Sequence, residues 1–335
     1  MPPHAATRAS VRGVFAGRWL TPPLAPLRFD NRFFLLEWPR QASFQPQVVE
    51  GELVSGEWIE PARALEHWRR GEVLAAPPIL HLLTVLAEDG PAAGLPRLLD
   101  PSEADLGPYR KIEFRPGVVM LPLETSTLPP ATHTNAYLLG HGETVLVDPG
   151  SDRPDELVAL RAALDDWRGR HGRTVRAIWL THHHPDHVGG VAAMAQHLGV
   201  PVLAHPATAR RLRERGLPVD GELEDGERVT LGGSPAMTVR VVHTPGHARG
   251  HLCFFDEEGG ALLAGDMVAG ISTIVIDPPE GDMDDYLASL ERLIALAPTT
   301  LFPGHGPAIR DGRAKLREYV EHRLWREGKV LEAWR

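Results

Sequence analysis

The sequence predicts a layered α/β protein with a metal centre at the ends of its strands. Three observations predict it. From about residue 118 onward, short apolar runs of strand length alternate with longer amphipathic runs of helical period. One turn, Thr181-His182-His183-His184-Pro185-Asp186-His187-Val188-Gly189-Gly190, places four imidazoles and a carboxylate within six residues, between a strand-like run and a helix-like run. Twice more an apolar strand stops at a glycine and delivers one ligand-type side chain. These are Asp266 after Leu262-Leu263-Ala264-Gly265 and His305 after Leu301-Phe302-Pro303-Gly304.

Taken in order, residues 1–27 are rich in Pro, Ala and Arg and read as an irregular arm. Residues 28–90 read as a small α+β domain. It has a strand over 27–38, a hairpin over 48–59, a helix opened by Pro61 and stopped near Gly71, and a second helix over 79–87 behind Pro77-Pro78. Residues 91–112, dense in Pro, Gly and charge, read as a linker. Residues 113–310 form the main domain. Its strands fall at 118–123, 136–139, 144–147, 175–180, 201–204, 237–242, 251–255, 261–263 and 300–302. Its helices fall at 154–167, where Leu157, Leu160, Leu164 and Trp167 share a face, and at 188–198, 206–215 and 283–296. Residues 311–335 read as a long charged helix. Its apolar Leu316, Val320, Leu324, Leu331 and Trp334 would pack on the core or on a second subunit, so a homodimer is one reading.

Composition narrows the function. A net charge of −9 argues against non-specific coating of nucleic acid. A single cysteine, Cys253, excludes an intramolecular disulfide and a Cys-rich metal site, and its apolar surroundings read as a buried strand. No apolar run reaches the ~20 residues of a membrane span, and none resembles a secretory signal. A cytoplasmic protein without a membrane partner is the expectation.

The chemistry follows from spacing. His182 and His184 are two apart, so an extended backbone sends both rings the same way, while Asp186 and His187 lie where the chain turns into the helix. The turn can thus serve two adjacent metals, one through the first pair and one through the second. Imidazole and carboxylate suit zinc, and imidazole also suits iron. A second cluster, His243-Thr244-Pro245-Gly246-His247-Ala248-Arg249-Gly250-His251, begins where a strand meets a Pro-Gly turn that can hold His247 toward the first pair. His243 and His251 read as hydrogen-bonded polar residues.

Together these residues resemble the metallo-β-lactamase superfamily. Its His-x-His-x-Asp-His signature corresponds to His182, His184, Asp186 and His187, and its later ligands to His247, Asp266 and His305. The resemblance implies an αββα sandwich. It also implies two divalent metal ions, zinc being expected and iron or manganese the alternatives. His182, His184 and His247 would hold one metal, Asp186, His187 and His305 the other, with Asp266 bridging. Asp148, in a strand-end Asp-x-Gly, would support the site from behind, as would His251. The implied activity is hydrolysis of an ester, thioester or related carbonyl compound by metal-bound hydroxide, with Asp186 as the catalytic carboxylate orienting it and a small molecule as substrate.

Within the superfamily, the Gly246–His251 run and Asn135-x-Tyr137-Leu138 look most like glyoxalase II-type thioesterases and lactamase-β-like endoribonucleases. The tail Glu321-His322-Arg323-Leu324-Trp325-Arg326-Glu327 also resembles the second group, which makes RNA cleavage the runner-up. Iron-dependent persulfide oxidation is a third reading. Residues 28–90 resemble part of a Nudix hydrolase fold in Phe29-Asp30-Asn31-Arg32-Phe33, Gly56-Glu57-Trp58-Ile59-Glu60 and Gly71-Glu72-Val73. The Nudix metal-binding signature helix is absent, which implies a packing or substrate-shaping role. No substrate-binding residue is assigned from sequence.

Overall fold

The computed structural model describes residues 13–21, 29–38, 48, 54–100, 112–271 and 273–334. Its frame is two sheets packed face to face. One has seven strands in the order β3-β4-β5-β6-β7-β8-β9: Ile112–Arg115, Val118–Glu124, His133–Leu139, Glu143–Val147, Thr174–Trp179, Val202–Ala204 and Gly221–Glu222. The other has six in the order β10-β11-β12-β13-β14-β15: Arg228–Leu231, Met237–His243, Leu252–Asp256, Ala261–Gly265, Thr300–Pro303 and Ile309–Arg310. Helices α4 (Pro154–His171), α5 (Pro185–Val188), α6 (Val191–Leu198) and α7 (Pro206–Glu214) serve the first sheet, and α8 (Met283–Ala295) and α9 (Gly312–Trp334) the second.

Strand alternation builds the layers. In β4, Val119, Leu121 and Leu123 face α4, α6 and α7, meeting Leu160, Leu164, Met194 and Leu212. Val118 and Met120 face the opposite sheet, among Val239, Phe254, Leu263 and Phe302. On the far side, Val242, Cys253, Leu262 and Ala264 turn outward onto Tyr286, Leu290, Leu293, Leu316 and Tyr319. Three apolar interlayers separate four layers, which is the αββα sandwich that the resemblance implies. Trp179 and Phe254 bridge the middle one, their ring centroids 5.0 Å apart.

Local signals explain the helix bounds. α4 opens on Pro154 with Asp155 and Glu156 in its first turn, and closes with Arg168, Arg170 and His171 before left-handed Gly172. That charge order complements the helix dipole. α8 is capped by Asp282, whose carboxylate accepts the Asp285 N–H at 3.0 Å.

Before the sandwich, β1 (Gly13–Leu20) pairs antiparallel with β2 (Asp30–Leu36), beside α1 (Pro61–Arg69), α2 (Pro77–Ala93) and α3 (Leu95–Leu99). Ala16, Val85 and Leu98 form a small core there. This corrects three expectations. The arm over 1–27 contains a strand, because Val14, Phe15 and Leu20 pair with Leu35, Phe34 and Asp30 of β2. The linker over 91–112 begins as helix: α2 kinks at Gly90, which is non-helical, and runs on through Ala93 before α3. The hairpin expected over 48–59 is not seen in residues 54–60, and residues 49–53 lie outside those described. Trp68 Nε1 donates to Phe114 O at 2.9 Å, tying this segment to β3.

Candidate metal centre

All seven residues singled out as ligands converge at one edge of the sandwich. β7 ends just before His182 and His184, and the single turn α5 carries Asp186 and His187. β11 leads to His247. β13 and β14 run parallel, so Asp266 and His305 leave the second sheet at the same end. Gly304 makes that approach feasible. A Cβ there would stand 2.5 Å from Asp266 Oδ1 and 2.8 Å from the His187 ring.

Two groups of donor atoms result. His182 Nε2 lies 2.9 Å from His184 Nδ1, which lies 3.0 Å from His247 Nε2. His305 Nε2 lies 3.4 Å from Asp186 Oδ2, and His187 Nε2 3.9 Å from the same oxygen. Asp266 stands between the groups. Its Oδ2 is 3.5 Å from His247 Nε2, and its Oδ1 is 3.4 Å from His187 Nε2 and 3.5 Å from His305 Nε2. His183, the fourth imidazole of the turn, belongs to neither group.

Four rings are fixed in the tautomer a metal requires. Thr181 Oγ1 gives its proton to Asp148 Oδ2 at 2.6 Å, so it accepts from His182 Nδ1 at 2.9 Å. His187 Nδ1 donates to Asp148 Oδ2 at 2.9 Å, His247 Nδ1 to Val275 O at 2.8 Å, and His305 Nδ1 to His133 O at 3.0 Å. With each Nδ1 proton committed outward, each Nε2 faces the centre. Buried His187 Nε2 and Asp266 Oδ1 have no hydrogen-bond partner, a costly state for polar atoms unless a cation takes them. The residues thus fit a pair of divalent metals.

Electrostatics prepare the same donors. Burial, aided by neighbouring imidazoles, holds His182 well below the usual histidine range and pushes His184 down to about 3. Burial alone would raise Asp266, but His187 and His305 hold it well below the carboxylate range. His182 and His184 are thus held neutral, whereas, against burial, the Asp266 carboxylate holds His187 and His305 above the usual histidine range, so a cation entering there would take the place of their Nε2 protons.

His251 is not a donor to this centre. Its Nε2 accepts the Asp266 backbone N–H at 3.1 Å and its Nδ1 meets Thr244 Oγ1 at 2.8 Å, so it positions Asp266. Asp148 does the same for His187 and Thr181. His243 lies away from the centre, stacked on His205 with centroids 4.0 Å apart. Asn135 Nδ2 donates to Pro303 O and Gly306 O, and Tyr137 Oη to Pro303 O, which secures the His305 turn. Cys253 is buried in β12, its thiol pushed up to about 12 by burial, and plays no nucleophilic part. Thr134, Thr181 and Thr244 were not singled out from sequence. A threonine carries no signal there until its partner, Asp186, Asp148 or His251, is known.

The centre opens into a cavity of about 500 Å³. Leu128, Pro129, Ala131, Ala269, Ile274 and Val275 form its apolar walls, and Asp277 and Glu280 lie among its polar lining. The lining includes no Lys or Arg among the described residues.

A four-layer sandwich with two His/Asp donor groups at one edge, joined by a shared carboxylate, defines a metal-dependent hydrolase. Residues 129–305 match the metallo-β-lactamase superfamily, and the chain belongs to that superfamily. It is 34% identical over 249 residues to the lactamase-like protein vrtG of Penicillium aethiopicum, covering 73% of this chain and 71% of that one. It is also 34% identical over 198 residues to the thioesterase pkgB of Emericella nidulans, covering 59% of this chain and 53% of that one. Among solved structures, a metallo-β-lactamase family protein from Thermus thermophilus superposes with a TM-score of 0.56 at 30% identity, covering 65% of this chain and 82% of that one. The family match begins after residues 28–90, so the Nudix likeness expected for them lies outside it. Among the described residues, no helix is long and apolar enough to cross a membrane.

Proposed function

We propose that the chain is a dinuclear zinc hydrolase of a small ester or thioester with an uncharged, largely apolar acyl part. The observation that carries this reading is the pair of donor groups sharing Asp266 at the floor of an apolar-walled cavity. His182, His184 and His247 would hold one metal and Asp186, His187 and His305 the other. Bound there, two divalent cations would ease deprotonation of water and polarise the scissile carbonyl. Asp186 lines the cavity, and its Oδ2 accepts from Thr134 Oγ1 at 3.2 Å, so it is the carboxylate placed to orient attacking water. Leu128, Pro129, Ala269 and Ile274 would seat the acyl group and exclude bulk water. The relative named as a thioesterase supports the thioester arm of the reading. RNA cleavage is less well supported, since beside the metals a phosphodiester would meet Asp277, and Glu280 paired with Arg211, with no Lys or Arg in the lining among the described residues.

The test pairs elemental analysis with parallel rates on a butyryl thioester, a lactone, a β-lactam and a short RNA. Two zinc per chain and preferred thioester or lactone hydrolysis are expected. His184→Ala and Asp266→Ala should each lower kcat/KM about 1000-fold, matching several kcal/mol of lost charge stabilisation, while circular dichroism stays native. Wild-type rates in either variant, or selective RNA cleavage, would sink the proposal.

A further inference from the structure

We infer that Arg323, on the C-terminal helix, is a positioning residue for His247. The proposal rests on the reading that His247 holds a metal. The connection runs through two successive carbonyls. Arg323 Nη2 donates to Ile274 O, and to Thr273 Oγ1 at 3.2 Å. The next carbonyl, Val275 O, accepts the His247 Nδ1 proton at 2.8 Å. Arg323 therefore holds the peptide group next to the one whose carbonyl selects the tautomer of His247 and turns its Nε2 toward His184 Nδ1, 3.0 Å away.

The segment needs such a holder. Residues 273–277 have neither helix nor strand, so no backbone ladder fixes them. Side chains from α8 and α9 instead hold the chain at Met267, Ala269, Thr273 and Ile274. Tyr286 Oη donates to Met267 O at 2.7 Å, directly after Asp266. Tyr319 Oη accepts the Ala269 N–H at 3.0 Å and donates to Ala269 O at 3.2 Å. Arg323 completes the grip, its guanidinium carbon 5.4 Å from the centroid of the Tyr286 ring. The Arg323 Nε is buried without a partner. Leaving it so costs stability, and an apolar residue would fill the space without that cost. What the guanidinium supplies is the pair of contacts to Thr273 and Ile274. Both Ile274 and Val275 also line the cavity, so the same contact shapes the wall above the metals. Residue 323 lies beyond the matched family region, and its place in the centre is not visible from the ligand motif.

The experiment titrates metal-free wild type, Arg323→Met and Arg323→Lys with zinc against a chromophoric chelator. Arg323→Met is expected to weaken one zinc equivalent about 10-fold, the low end of the range for losing an outer partner of a ligating histidine because Val275 O itself remains, and to leave the other unchanged. Arg323→Lys keeps a single cationic donor and should fall between. On a His184→Ala background Arg323→Met should add nothing, whereas on His305→Ala it should still weaken the remaining equivalent. Two unchanged equivalents, or equal weakening of both, would overturn the inference. If Arg323→Met fails to fold, wild-type affinity in Arg323→Lys on the His305→Ala background also overturns it. A wild type that binds only one zinc would count against the dinuclear proposal, while the His184-dependent shift would still decide the role of Arg323.

Discussion

At the scale of the residue, Asp148 does more than any other non-ligand to define the centre. Its Oδ1 accepts the Thr181 N–H at 2.8 Å, and its Oδ2 takes both the Thr181 hydroxyl and the His187 ring proton. Three donors on one carboxylate cannot all be kept by an amide. In Asp148→Asn, one amide face turns N–H groups toward N–H or O–H groups and leaves a buried donor unmatched. The backbone is not the obstacle, since Asp148 sits at φ 48°, a region asparagine tolerates. Zinc affinity of the His187 equivalent should fall about 10–100-fold, read by the same chelator competition, with little change in the His184 equivalent. Unchanged affinity would mean that His187 is aimed by packing alone. The donor cluster was legible in sequence because its imidazoles and carboxylates stand at strand ends with regular spacing. The threonines that orient them were not, because a hydroxyl is informative only when its partner is known.

At the scale of the element, legibility followed burial. β4, β12, β13 and the Ala136–Leu139 part of β5 are covered on both faces, so they read as apolar runs, whereas His133, Thr134 and Asn135 at the start of β5 gave no such signal. β9 and β15 have two residues each, and β3 and β10 four, at sheet edges where exposure removes the apolar pattern. β1 was hidden by its Pro- and Arg-rich surroundings. Helix α7 shows how an element end can carry a pH response away from the metals. His205 caps it, its Nδ1 accepting the Ala207 N–H at 3.2 Å. Burial, with His243 stacked beside it, pushes His205 from 6.5 down to about 4, while Asp225 and Glu222 oppose the shift. Between those values the unfolded chain binds more protons at this site than the folded one, so stability falls as pH drops from about 6.5 toward 4. His205→Asn keeps a capping acceptor but cannot titrate. Its urea midpoint should lose less than wild type does between pH 7 and pH 4.5. Parallel losses in the two proteins would show that His205 takes up its proton as readily in the folded state as in the unfolded one.

At the scale of the whole molecule, the donor residues come from both sheets, so metal bound among them would act as a staple. His182, His184, Asp186 and His187 follow β7 of the seven-stranded sheet, whereas His247, Asp266 and His305 follow β11, β13 and β14 of the six-stranded one. Between them the middle interlayer is held by non-directional apolar contact, such as Trp179 on Phe254, which fixes distance better than register. Ions bound at the edge would bind the native arrangement and not the unfolded chain. Free zinc at a thousand times its Kd would then add about 4 kcal/mol per site. Chelation should accordingly lower Tm by on the order of 10 °C, and zinc should restore it. Hydrogen exchange would locate the effect. Protection should drop in the ligand loops at 181–188, 244–251 and 303–306 and persist in β4, β5 and β12, whose apolar interlayers do not depend on metal. An unchanged Tm and exchange pattern after complete zinc removal would mean that the two sheets hold the donor groups together unaided, as a preformed site that metal enters without tightening the fold.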